Sequence, residues 1–246
     1  MKKLSLLLLF ILMISCQSNE EELTADRIID KAIAEAGGEK YNRSIIEFDF
    51  RKNHYTSKRE DGLFVFTRTM KDSLGKFKDV LTNDGFTRHR EGREVELSDS
   101  LATVYSESVN SVHYFVQLPY GLDGPAVNKE LLGEDEIDGK HYYEIRVTFN
   151  QEGGGTDHED VYMYWIEKEK FTIDYMAYRF YVNDGGIRFR VATNPRVIEG
   201  LRFVDYDNYK TDDLDTPLEN LDELYEAGKL TKVSEIKNEN IKVKLQ

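Results

Sequence analysis

The chain has 246 residues, a net charge of −13 and a single cysteine, and 12% of it is aromatic. So acidic a protein lacks the lysine and arginine excess that neutralises nucleic-acid phosphates, and by charge alone it is repelled by anionic lipid headgroups. One cysteine excludes an internal disulfide, and the length, with only four prolines, predicts one domain.

The first predicted element is a leader. Lys2 and Lys3 precede an apolar run from Leu4 to Ile14. That run is shorter than the ~20 residues a membrane-spanning helix needs, and it suits a secretory signal. It ends Met13-Ile14-Ser15-Cys16, which resembles the lipobox of bacterial lipoproteins, with Met13 where leucine is usual. The resemblance implies a signal peptide over 1–15, cleavage before Cys16, and acylation of the Cys16 thiol. Several acyl chains would anchor the protein durably, since each buried methylene contributes ~0.8 kcal/mol. The expected location is therefore the outer membrane, reached through a lipid. A plain signal peptide or a retained anchor is the alternative. Residues 16–23 form an acidic tether that is similar to the surface-export signals of some two-membrane bacteria. Periplasmic and cell-surface orientations both stay open.

Residues 24–246 are expected to form the domain. Thr24-Ala25-Asp26 signals a helix start; Ile28, Ile29, Ala32, Ile33 and Ala36 recur at helical spacing, and Gly37-Gly38 supplies the stop. Ile46, Phe48 and Phe50 alternate with charged residues, the pattern of a strand with one wet face. A β-rich stretch runs from Leu63 to Met70, and Asn83-Asp84-Gly85 predicts a hairpin. From Ser98 to Leu118 the period shifts to 3.6, with Ser98 or Asp99 as cap and Pro119 as terminator. Segments 140–149, 159–167, 171–182, 186–192 and 197–209 then read as strands, with a hairpin at Asn183-Asp184-Gly185-Gly186. A short acidic helix near Leu218 to Glu226 and a last strand from Leu230 complete the chain.

The strands between 161 and 182 are apolar on both sides. Val161, Met163 and Trp165 share one side, and Tyr162, Tyr164 and Ile166 the other. A helix must cover the second face or that face must line a cavity. The predicted fold class is α+β: a curled antiparallel sheet, open and barrel-like, wrapped around one or two helices. This order of elements is similar to the lipoprotein-carrier folds of the bacterial envelope. Segments 108–122, 147–165 and 185–209 also resemble a family of bacterial lipoproteins without assigned function.

Candidate chemistry is sparse. The run Gly153-Gly154-Gly155-Thr156-Asp157-His158-Glu159-Asp160 offers oxygens for calcium, or His158 with Asp157 for zinc. It lacks the alternating acids of a calcium loop and any second histidine at ligand spacing, so it reads as a hairpin loop. No serine elbow occurs, and His113 reads as a packing residue. Asp205 and Asp207 are paired acids on one strand face. Arg188 and Arg190 share a face, with Arg202 expected opposite them. No catalytic residue, metal or cofactor is predicted, and no nucleic-acid partner. The leading expectation is a non-enzymatic lipoprotein that binds an apolar or amphiphilic ligand, with Tyr105, Phe115, Met163, Trp165, Met176 and Phe180 as candidate lining. Action through protein–protein contacts is the alternative, and a metal-dependent hydrolase using the acids of 157–160 is a third.

Overall fold

A computed structural model describes residues 23–153, 155, 158–181 and 185–246. The expected signal peptide, Cys16 and nearly all of the expected tether lie outside the described residues, as do Gly154, Thr156, Asp157, Val182, Asn183 and Asp184.

Thr24 caps α1 (Ala25–Ala36), its hydroxyl accepting from Arg27 N, and Gly37 ends the helix at φ 131°. A Cβ at Gly37 would meet Leu201 Cδ2 at 2.5 Å, so positive φ and close packing both require glycine there. Strands β1 (Ser44–Phe50), β2 (Asn53–Glu60), β3 (Leu63–Asp72), β4 (Gly75–Thr82), β5 (Gly85–Arg90) and β6 (Arg93–Glu94) follow as a meander. The next helix, α2 (Asp99–Gln117), starts at a Ser98 cap. Then come β7 (Val127–Ile137), β8 (Lys140–Phe149), β9 (Val161–Glu167), β10 (Ile173–Phe180), β11 (Gly186–Ile198) and β12 (Leu201–Lys210), a second meander. The short α3 (Leu221–Glu226), β13 (Thr231–Ile236) and β14 (Asn238–Leu245) close the chain.

The strands form two seven-stranded antiparallel sheets, ordered β14-β1-β2-β3-β4-β5-β6 and β13-β12-β11-β10-β9-β8-β7. Only Lys237 separates β13 from β14, so one length of chain passes directly from the second sheet into the first. A polar knot fixes that crossing. Asn238 N donates to Asp205 Oδ1 at 2.9 Å and its side-chain amide donates to Val204 O at 3.0 Å. Arg196 Nη2 donates to Asp205 Oδ1 at 3.0 Å and Asn194 Nδ2 to Asp205 Oδ2 at 2.8 Å. Asp205, one of the paired acids singled out in the sequence, thus holds the two sheets together. Both arms of the knot leave β11 at a bulge between Thr193 and Arg196, which admits Pro195 without breaking the strand.

The combined sheet is open and curls around α1 and α2, the predicted fold class. Ile28, Ile29 and Ala32 of α1 pack with Ile145, Tyr164, Ile166 and Met176 on the concave face of the second sheet. The opposite face of that sheet carries Met163, Trp165, Ala177 and Phe189, which pack beneath Leu218 and Leu221. The two-sided apolar pattern therefore has a simple cause: α3 and the turn before it roof the second face.

Neither β2 and β7 nor the two-residue β6 was legible in the sequence, and the single last strand expected from Leu230 is two, β13 and β14, in different sheets. β2 carries a single large apolar residue buried inward, Tyr55, and otherwise polar side chains; its pairing with β1 and β3 rests on backbone hydrogen bonds. β7 is rich in acids because it is a sheet edge, where charge discourages further pairing.

Candidate ligand-binding cleft

The α2 helix lies on the concave side and is incompletely packed. Of its 19 residues only Val109, His113, Val116 and Gln117 are buried. It carries small polar residues, Ser106, Ser108, Asn110 and Ser111, where larger ones would fill space. Three cavities remain along the helix. One of about 460 Å³ is lined by Phe64, Phe66, Tyr114, Tyr120 and Phe149, among others. Another, about 410 Å³, lies where the sheets meet and is lined by Tyr55, Val112, Phe115, Tyr178 and Ile236, with Arg68, Arg190, Asn208 and Asn238. The third, about 250 Å³, shares Tyr114 and Phe149 with the first and Ser111 and Phe115 with the second. A larger hollow of about 750 Å³ opens elsewhere, lined by Lys140, Glu167, Asp174 and Arg202. Two of its cations share one carboxylate: Arg202 and Lys140 both approach Asp174, at 3.6 and 4.0 Å.

The walls of the cleft are held by buried polar groups. Asp79, fully buried, accepts from Arg68 Nε and Nη2 at 3.0 and 2.7 Å, and from Arg88 Nε and Nη2 at 2.6 and 3.0 Å. The third arm of Arg68, Nη1, donates to Ser108 Oγ on α2 at 2.7 Å. His113 packs on Phe66 and edge-on to Phe48 and Tyr55, with Nε2 donating to Thr67 O at 3.3 Å. Burial, with Arg59 nearby, pushes its pKa down to about 3. It is a neutral packing residue, not a base.

Arg190 differs from the other buried arginines. It is 7% exposed, and its guanidinium stacks 4.0 Å from the centre of the Phe115 ring. Nη2 donates to Tyr178 Oη at 2.7 Å, and Nε has no partner. Arg188 instead caps the Phe180 ring. Arg202 is not opposite either of them, because the register pairs Arg188 with Lys210, Arg190 with Asn208 and Arg202 with Val197.

The chain belongs to a family of unknown function, DUF6503. Its model matches residues 2–238. The fold of this member is similar to that of a LolA superfamily protein from Nitrosomonas europaea, with TM-score 0.52 and 15% identity over 91% of this chain and 94% of that one. A DUF1329 family protein from Desulfovibrio piger gives TM-score 0.46 at 13% identity, covering 76% and 86% of the two chains. A putative outer membrane lipoprotein-sorting protein domain from Vibrio parahaemolyticus gives 0.44 at 9% identity, covering 82% and 97%. No curated protein matches.

The six residues expected to line a cavity do not form one set. Phe115 lines the two cavities that meet at α2. Met163 and Trp165 are fully buried on the far face, under α3, because alternation along β9 sends odd positions away from the cleft. Met176 is fully buried in the main core. Tyr105 lies under Arg88, 3.7 Å from ring to guanidinium, beside Phe86, and Phe180 lies at the end of β10. Sequence reading missed Tyr178, Asn208, Asn238 and Ile236, whose convergence depends on the sheet crossing.

Nor does the 153–160 loop bring acids together among its described residues; His158 Nδ1 contacts its own loop at Gly155 O, 3.2 Å away. Three other acids do converge. Carboxylate oxygens of Asp135, Glu144 and Asp222, from β7, β8 and α3, lie within 4.8 Å of one another. Burial and the neighbouring Asp135 push Asp222 up to about 8, and burial with Asp135 also raises Glu144. The arrangement can share a proton or accept a cation, and no spacing in the sequence announced it.

Proposed function

We propose that this protein is an envelope lipoprotein, anchored through Cys16, whose cleft beneath α2 binds an apolar or amphiphilic ligand without catalysing a reaction. The cleft carries the reading: aromatic-lined spaces of about 460 and 410 Å³ fall within the ~300–1,000 Å³ of small-molecule sites. They lie under a helix whose packing leaves room for a guest. The lipobox resemblance supports the anchor, and the fold shared with a LolA superfamily protein agrees with an envelope role. Action through protein contacts would call for an exposed aromatic patch. Among the described residues, Tyr181 is the single aromatic in the set of exposed large apolar side chains, which favours the cleft.

The test is native mass spectrometry of residues 17–246, which retain every described element, secreted by an ordinary signal and purified without detergent. A bound mass released as lipid on denaturation is expected. A bare mass, with no uptake of a fluorescent fatty acid afterwards, overturns the proposal. Labelled palmitate on the full chain, absent from a Cys16→Ser variant, checks the anchor.

A further inference from the structure

The buried cation in the cleft has no counter-ion. Arg190 is more than nine-tenths buried, and no described carboxylate lies within ion-pair distance of it. Arg68, equally buried, shares Asp79 with Arg88, and the half-buried Arg196 has Asp205. A guanidinium cannot shed its proton at neutral pH, and an unpaired buried charge is costly. Arg190 makes one hydrogen bond, to Tyr178, and the rings of Phe115 and Tyr178 cover its faces at 4.0 and 5.0 Å. Most of its five donors are left for something else. Arg190 lines the 410 Å³ cavity, where Tyr55, Val112, Val116 and Ile236 supply apolar surface beside the polar groups of Arg68, Ser108, Asn208 and Asn238.

We propose that the cleft selects amphiphiles with an oxyanion head, carboxylate or phosphate, which Arg190 receives while the chain lies along Val112, Val116 and Tyr55. The inference rests on the ligand-binding reading above and adds the chemistry of the head. The planar fork of arginine suits both oxyanions, since each can accept two parallel hydrogen bonds. Stacking on Phe115 holds the fork in place before a ligand arrives. Arg59 is the internal comparison. It also lacks a carboxylate, but it is less buried, donates to Gln117 Oε1 at 3.3 Å and lines the neighbouring 460 Å³ cavity.

The experiment uses delipidated residues 17–246 loaded with the neutral probe N-phenyl-1-naphthylamine. Laurate, dodecyl phosphate and dodecanol displace the probe in separate titrations, alongside acetate and inorganic phosphate. Laurate or dodecyl phosphate is expected to bind on the order of 10- to 100-fold more tightly than dodecanol, the scale of charge-assisted hydrogen bonds. Which of the two binds better tells carboxylate from phosphate. Arg190→Gln is expected to abolish the preference, and a circular dichroism spectrum and urea midpoint matching those of the unaltered protein report that the variant is folded. Arg190→Lys is expected to restore part of it.

Equal affinity for dodecanol and the charged amphiphiles overturns the proposal. So does a preference that survives Arg190→Gln or that Arg59→Gln removes instead, and so does inorganic phosphate or acetate binding as tightly as the amphiphiles. Failure of the probe and of every amphiphile to bind is a different result: it overturns the cleft itself.

Discussion

The hydroxyls of Tyr114 on α2 and Tyr164 on β9 hydrogen-bond at 2.6 Å. Tyr164 is fully buried and Tyr114 half-buried against it, and their burial raises both phenol pKa values above the ordinary range. This bond ties the helix to the second sheet, whereas Ser108, His113 and Gln117 tie it to the first. Tyr164→Phe is expected to strand the Tyr114 hydroxyl and cost about 1–2 kcal/mol. Amide exchange across residues 99–117 should quicken while the strands of the first sheet keep their protection. Unchanged exchange in α2 would show that the bond does not hold the helix.

Asp79, fully buried, neutralises two guanidinia. Asp79→Asn leaves Arg68 and Arg88 buried with half a partner, and about 3–5 kcal/mol should be lost, the usual result of breaking a buried ion pair from one side. Urea denaturation measures it directly. A loss below ~1 kcal/mol would mean that the arginines find water or other acceptors.

His113 makes the fold acid-sensitive. Its folded pKa near 3 lies below the unfolded value of about 6.5. The unfolded state therefore binds the extra proton between those values, and stability is lost as pH falls through that window. One unit below the unfolded pKa the penalty is ~1.4 kcal/mol. His113→Phe, which keeps the stacking on Phe66, should flatten this part of the stability profile. A slope that persists in the variant would place the acid sensitivity elsewhere.

Asp222 acts with the opposite sign. Its folded pKa, near 8 beside Asp135 and Glu144, lies above the unfolded value of about 3.9, so the folded state holds the extra proton. This contribution is complete in acid, and stability is lost as pH rises from about 4 to about 8. Asp222→Asn mimics the protonated acid and should remove the decline. Thermal melts of the two proteins at pH 6 and pH 8.5 compare them; an equal fall in both would exclude Asp222 as the cause.

The local elements were written in the sequence. Thr24 and Ser98 as caps, Gly37 as a stop, Asn83-Asp84-Gly85 as a turn and the alternation through Tyr162, Met163, Tyr164 and Trp165 each depend on neighbours a few residues away, where backbone geometry fixes which side chains share a face. The same alternation called for cover on both sides of β9. Periodicity cannot say which element supplies that cover, so Met163 and Trp165 read as cavity lining when α3 in fact roofs them. β2 and β7 escaped because a ladder of backbone hydrogen bonds leaves little mark on side chains that face water. The cleft belongs wholly to the tertiary structure. Arg190 meets Phe115 across 75 residues of chain, and the passage of the last strand between the sheets decides that Asp205 is spent on Arg196 and Asn238 while Arg190 is left without an anion.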